Sequence, residues 1–453
     1  MESPTLSQGM ARFAVGLNIY KVPQHIVDKL KACLVNGIGI ALSSTQQREA
    51  MNARAAVLAM DGERPGGATL LVDGRKTTVA GAAVANCVMF YGSGGQCDTM
   101  GSVHIGLTCI PLTLAMVEAG YPSERLMPAL LAAYEVAGLL DGHFGRYSAE
   151  NGFRATPLLG AIGVAAAASM MMGLDEAKTA SALSIAASFT GGLLQPYEDG
   201  SGEPRHQPGS AIRNGLAAAE LARAGVQGAP RAFEGRAGLI TVFARQTCDV
   251  PALLAKLGNE WSLERVFFKP YAVCAFNQTP VNATLELGKR LKVADIESIR
   301  VRMNSYETSY AGMDSKGPFK TQTAHTMSIP YCVALTLVRG APFSTRPLNV
   351  FNDEEVYSLV RKVDLVTDNE VPNLSAIIEA TLRDGSTVTQ RQNMSFADYA
   401  FPRPGVEEMV RRIGRDNEVP PAAFDSVNRF VDSLPQTSPS VVIDAFAMLR
   451  KTP

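Results

Sequence analysis

Between two runs of small apolar residues, Ala180 to Ser188 and Leu216 to Ala224, the sequence crowds Glu198, Asp199, Glu203, Arg205 and His206 into one polar stretch. Gly200, Gly202, Pro204, Pro208 and Gly209 fix many of its turns, which predicts a shaped loop carried by packed helices. Charges on such a loop read as a site, the plain alternative being a solvated surface connector. His104 follows Gly101-Ser102-Val103 and precedes an apolar run, so it belongs at a helix N-terminus, where backbone N–H groups attract anions. Asp98 lies six residues before His104, where its natural role is to orient that histidine or to bind a substrate hydroxyl; its ordinary role would be to cap the next helix. Lys269 lies between Phe267-Phe268 and Pro270-Tyr271, an apolar setting that desolvates an ammonium. Arg154 and Arg205 do not deprotonate at working pH but grip carboxylates through two parallel hydrogen bonds. Cations that hold anions, beside a histidine able to move a proton, are the parts of general acid–base chemistry on a carboxylic acid.

The elements that must position these residues are mostly helical. From Gln24 to Leu42 apolar residues recur at helical spacing after a proline start, and another helix follows from Gln47. Thr69 to Gly74 and Lys76 to Val79 flank a D-G turn as a short hairpin, after which Ala80 to Tyr91 returns to a small-residue helix. Pro111 to Leu140 and Thr156 to Met172 are rich in Ala, Leu, Met and Gly, the composition of close-packed bundle helices. The Met170-Met171-Met172 cluster reads as adaptable core filler. After Trp261 the pattern changes. Ile299 to Met303 alternates as a half-buried strand, and Leu374 to Arg383 with Thr387 to Gln390 bracket Asp384-Gly385 as an antiparallel hairpin. Helices are expected at Pro280 to Leu291, Ala324 to Val338 and Asp353 to Val360, and helical pattern resumes at Val406 to Ile413 and Pro421 to Val431. The expected fold class is mainly α: a large all-α helical domain, residues 1–265 with 403–453, plus a smaller α+β lid domain, residues 266–402.

The 453 residues are 46% hydrophobic and 19% charged, which argues against disorder and allows a large core. The net charge is −1 and there is no polybasic run, so a nucleic acid or an anionic membrane has no electrostatic basis as a partner. Cysteines at 33, 87, 97, 109, 248, 274 and 332 lack C-x-x-C or Cys/His metal spacing and fit a reducing compartment. The N-terminus is polar and acidic where a secretory signal is basic and then apolar, and no stretch of 18 apolar residues runs without polar interruption. A cytoplasmic protein without a membrane span is expected. Tyr91 to Gly95 reads Y-G-S-G-G and falls short of G-x-G-x-x-G; with no Walker loop, H-E-x-x-H or G-x-S-x-G, neither a metal nor an organic cofactor is expected.

The loop pattern D-G-S-x-x-x-R-x-x-P-G-x-A, from Asp199 to Ala211, resembles the signature of the MmgE/PrpD family of 2-methylcitrate dehydratases, cis-aconitate decarboxylases and iminodisuccinate epimerases. Further matches follow in order: Tyr20 to Gly39, Asp98-Thr99 with His104, Gly152 with Thr156, F-E-G-R-A-G at Phe233 to Gly238, K-P-Y-x-x-C at Lys269 to Cys274, and S-I-P-Y at Ser328 to Tyr331. The resemblance implies a helical domain built from both termini with an inserted lid, a homodimer formed through the helical domain, and a small di- or tricarboxylic acid as substrate. It implies catalytic roles for His104, Lys269 and Asp98; the chemistry of the residues themselves adds His206 to the catalytic group and Arg154, Arg205 and Tyr331 as substrate-binding residues. Cys274 is expected to be a packing thiol, and His143 and His325 to lie at the surface or behind the site.

The sequence also departs from that pattern. Arg154 stands where the family's G-x-H-P-T has histidine, and Pro204 and Gln207 stand where its K-R-L-H-P-G has lysine and histidine. Arg154 and Arg205 are therefore expected as carboxylate anchors, with His206 supplying a proton; the ordinary alternatives are an Arg154 paired with Glu150 or Asp199 and a solvated His206. The resulting expectation is a cofactor-independent dehydratase or decarboxylase. An epimerase or isomerase would use the same carbanion, and a non-catalytic binding or scaffold protein is the reading from another class.

Overall fold

The computed structural model describes residues 3–344 and 346–450. At its centre the Ala155–Met172 helix is almost wholly buried, because Ala and Gly repeat along every face and let neighbouring axes come close. The Leu126–Leu140 and Gln207–Arg223 helices pack against it. A Cβ at Gly215 would collide with the Ala161 carbonyl and Val164, so glycine is what permits that helix crossing. Ala155–Met172 is the one helix among the described residues long and apolar enough to cross a membrane, and 89% of it is buried inside this core.

The chain's end returns to its beginning. Arg403–Asp416 packs on Gln24–Leu42, and Pro421–Asp432 packs beside it, through Val406, Val410 and Phe430. A second core gathers around a four-stranded sheet ordered Val363–Thr367, Ile296–Met303, Ala376–Leu382 and Thr387–Gln392. Ile296–Met303 runs parallel to Val363–Thr367 and antiparallel to Ala376–Leu382. The Gln278–Gly288 and Ile329–Arg339 helices cover it, burying Ile299, Val301, Ile378 and Val333. The molecule is thus a large mainly helical domain carrying a smaller α+β lid.

Element boundaries shift where local chemistry decides them. The expected Ala324–Val338 helix is two helices, Gln322–Met327 and Ile329–Arg339, because Ser328 adopts an extended conformation and caps the second through its hydroxyl. The polar stretch after Thr190 ends earlier than its composition suggests. Gln207–Arg223 is already helix, with Pro208 in its first turn, where a missing N–H costs nothing. The hairpin near residue 70 is reduced to Ala68–Thr69 against Lys76–Thr77.

Candidate active site

A small pocket lies where the two cores meet, leaving about 60 Å³ to the centres of water-sized molecules. The helical domain contributes Tyr91, Thr99, His104, Arg154, Thr156 and Tyr197; the lid side contributes Lys269, Cys274, Phe276, Tyr310 and Met327. Thr99–Met100 pairs with Val266–Phe267 in a two-residue antiparallel ladder, which sets Lys269 beside the His104 loop. The loop itself touches the lid closely, since a Cβ on Gly94 would collide with the Ala272 backbone. A larger groove of about 890 Å³ runs past Arg12 and Glu176, where the two charges pair with each other near solvent.

His104 is fixed by a tight turn. Met100 and Val103 exchange backbone hydrogen bonds, and the Gly106–Glu118 helix begins two residues after the histidine. Its Nδ1 lies 2.9 Å from the Asp98 carbonyl and 3.2 Å from Thr99 Oγ1. A carbonyl only accepts, so the geometry assigns the proton to Nδ1 and leaves Nε2 with a free lone pair. Burial, reinforced by Lys269 and Arg154, holds the imidazole well below the usual histidine range and therefore neutral. The Asp98 carboxylate does not reach the ring: it accepts from the Tyr134 hydroxyl, and burial pushes it up to about 6. Asp98 orients His104 through its main chain.

Arg154 caps the Ala155–Met172 helix, and its backbone N–H donates to Gly192 O at 3.1 Å, which pins the 190–195 segment to the Gly152 turn. Nη1 donates to the Pro204 carbonyl and, at 3.0 Å, to Gln207 Oε1. The guanidinium carbon sits 5.2 Å from the Tyr197 ring centre and 5.5 Å from that of Tyr91. Nη2 is buried without a hydrogen-bond partner. Glu150 and Asp199 are engaged elsewhere, by Arg146 and Gln195. Lys269 is 2% exposed, and its Nζ has only Cys97 Sγ, at 3.9 Å. Among the described residues neither Arg154 nor Lys269 has a carboxylate within 4.0 Å.

The remaining expected residues lie elsewhere. Arg205 is buried on the other side of Tyr91, donating to Gln47 Oε1, Gly92 O, Ser93 O and Gln322 Oε1 at 3.3, 2.9, 2.5 and 3.0 Å. Those oxygens occupy both terminal nitrogens and leave only Nε without a partner, so Arg205 braces neighbouring segments and does not line the pocket. His206 faces a separate polar groove with Gln47, Glu49 and Lys320, because the short Glu203–Arg205 turn points successive side chains in different directions. Tyr331 is buried in the lid, its ring stacked 3.9 Å from that of His325. His325 is itself fully buried, bonded to Leu348 O at 2.7 Å and Tyr357 Oη at 3.1 Å, and not at the surface. His143 bonds to Leu139 O at 2.9 Å, away from the pocket. The expected single cleft holding His104, Arg154, Arg205, His206 and Lys269 is therefore corrected to one holding His104, Arg154 and Lys269.

Tyr310 is a pocket residue that sequence reasoning missed. Its ring is held edge-on by Phe276 at 5.4 Å, its hydroxyl has no protein partner among the described residues, and burial raises it far above the usual phenol range. Cys274 also lines the pocket, but burial pushes its thiol up, as suits packing. Among the described residues no three His, Cys, Asp or Glu side chains are grouped to hold a metal ion.

Residues 8–249 match the MmgE/PrpD N-terminal domain and residues 271–404 the MmgE/PrpD C-terminal domain. A cis-aconitate decarboxylase of Aspergillus terreus is 24% identical over 415 residues, covering 84% of this chain and 83% of that protein. The human cis-aconitate decarboxylase is 26% identical over 334 residues, 68% of this chain and 67% of its own. A 2-methylcitrate dehydratase-like protein, oryR, of Aspergillus oryzae is 23% identical over 381 residues, 76% of this chain and 72% of its own. The chain belongs to the MmgE/PrpD family, and that membership supports a lyase-type activity on a small carboxylic acid.

Proposed function

We propose that this MmgE/PrpD chain is a cofactor-independent lyase that removes water or carbon dioxide from a small di- or tricarboxylic acid. One observation carries the reading: two buried cations without anionic partners, Arg154 and Lys269, flank a neutral imidazole whose Nε2 is free. In a dehydration, Nε2 takes the proton from the carbon next to a carboxylate, the electron pair forms the double bond, and the hydroxyl on the adjacent carbon leaves with a proton as water. In a decarboxylation the bond to the departing carboxylate breaks, carbon dioxide leaves, and the carbanion takes the hydroxyl proton of Tyr310, which water then restores. Arg154 and Lys269 hold the carboxylates and stabilise the charge that develops on them, which is worth most in a dry pocket.

Reprotonation of the same carbanion would instead give an epimer or isomer, and product analysis separates that outcome. The same reading has the chain acting as a cytoplasmic homodimer, which sedimentation and fractionation test. The decisive experiment screens citrate-, aconitate- and succinate-type acids in deuterated water by NMR, with wild type and His104→Gln, before and after exhaustive chelation. Exchange or turnover by wild type that His104→Gln abolishes and chelation spares is expected. Turnover lost on chelation overturns the cofactor-free mechanism, and binding without any exchange or product points to a non-catalytic binding protein.

A further inference from the structure

The charges around the pocket define more than a reaction type. No acidic side chain lines it, and its cations are Arg154 and Lys269. The thiol next to Lys269, Cys97, is pushed up by burial and stays neutral, so it offsets nothing. Beneath the floor the buried Asp98 carboxyl feels Lys269 first and Lys29 second, outside salt-bridge contact with either, and it does not line the pocket. Arg205 is turned away onto its four oxygen acceptors. What faces a ligand is two positive charges in a tight space.

The three positions at which the sequence leaves the family pattern meet at one point. Arg154 Nη1 is held by the Pro204 carbonyl and Gln207 Oε1, while Gln207 Nε2 donates to Leu193 O at 3.1 Å. That second bond fixes the amide, so its oxygen has to face Arg154. Clamped at Nη1 and walled by Tyr91 and Tyr197, the guanidinium keeps Nη2 and Nε without hydrogen-bond partners among the described residues, Nη2 being the free terminal nitrogen. Where the family loop carries a lysine, this chain has Pro204, which brings no side-chain ammonium to that position. A third carboxylate would enter a desolvated space with no cation left for it.

We propose that the pocket selects a small dicarboxylate over a tricarboxylate, one carboxylate on Arg154 Nη2 and the other on Lys269 Nζ, with Gln207 as the positioning residue that sets Arg154. This rests on the pocket identified above as the substrate site. The test is calorimetric titration of the full chain with butyrate, succinate and tricarballylate, unreactive acids of one, two and three carboxylates, at fixed ionic strength. Succinate is expected to bind at least about tenfold tighter than either other acid. Gln207→Met is expected to shrink that preference to about threefold or less with an unchanged melting temperature, and Gln207→Glu, which keeps an acceptor but cancels the charge of Arg154, to bring succinate down to the level of butyrate.

Tricarballylate binding as tightly as succinate overturns the selection, and so does a failure of all three acids to bind. An unchanged ratio in Gln207→Met overturns the role of Gln207. The lyase reading fails separately: preferred succinate binding by a protein that never exchanges or eliminates a proton keeps this inference and removes that one.

Discussion

Two arginines flank Tyr91, at 5.5 Å for Arg154 and 5.4 Å for Arg205, and both are buried. Arg205 donates both terminal nitrogens to four oxygens of three separate segments, so its charge is spent holding the chain together. Arg154 is clamped by one nitrogen and keeps the other unpartnered against a pocket that also holds an unpaired lysine. Burial of a cation therefore does not mark a binding site, and neither does an unpartnered donor alone, since Arg205 Nε is also without a partner. What sets Arg154 apart is a free terminal nitrogen on a guanidinium that lines the pocket, where a ligand can recover the cost of the unmade bond.

The pocket side of this comparison breaks most sharply at His104. His104→Gln should lower turnover by about 10²- to 10⁴-fold with folding retained, read by steady-state kinetics and circular dichroism. A loss below threefold would move the base to another group.

Arg154→Gln and Arg205→Gln then form a matched pair. The first should weaken binding of a dicarboxylate by about 2–5 kcal/mol and lower the denaturation midpoint less than the second, since it strands one buried carbonyl where loss of Arg205 strands two. The second should do the reverse, removing ~3 kcal/mol of stability by stranding buried carbonyls while binding persists. If the two substitutions exchange these effects, the assignment of the two arginines is inverted.

Asp98 sharpens the same contrast through pH. Burial raises its folded pKa to about 6 from 3.8, so the folded chain binds this proton more readily than the unfolded chain. The associated stabilisation is complete below about pH 3.8 and is lost as pH rises through about 6. Asp98→Asn should remove this slope of up to ~1.4 kcal/mol per pH unit, visible in urea denaturation at several pH values. Because the contact with His104 runs through the main chain, the same variant should keep turnover within about tenfold of wild type. The smallest effect belongs to His206→Ala, with stability changed by less than about 0.5 kcal/mol. A large loss of activity there would return His206 to the catalytic group.

Legibility in the sequence followed the range of the interactions. His104 and Lys269 were readable because their settings are local: a helix entry after Gly-Ser-Val, and a lysine between Phe268 and Pro270. The strand at Ile296–Met303 and the Ala376–Leu382 hairpin showed the same local clarity through alternation and the D-G turn. Arg205 and His206 misled because a charged, turn-rich stretch looks alike whether it faces a ligand or its own backbone. Tyr310 gave no signal, since its place depends on Phe276 and on lid packing distant in sequence.

Composition and periodicity by themselves determined a helical core with an α+β insert and the return of the C-terminal helices, because apolar periodicity is a property of each segment. The ordered motifs carried the family. Which cations remain free was settled only by tertiary structure. Arg154 and Arg205 have the same side chain and the same burial, and differ in which oxygens other parts of the chain bring within 3.5 Å of them. Half of those acceptors are backbone carbonyls, present at every position, and the rest are glutamine side chains whose neighbours only the fold decides, so residue type alone does not reveal the arrangement.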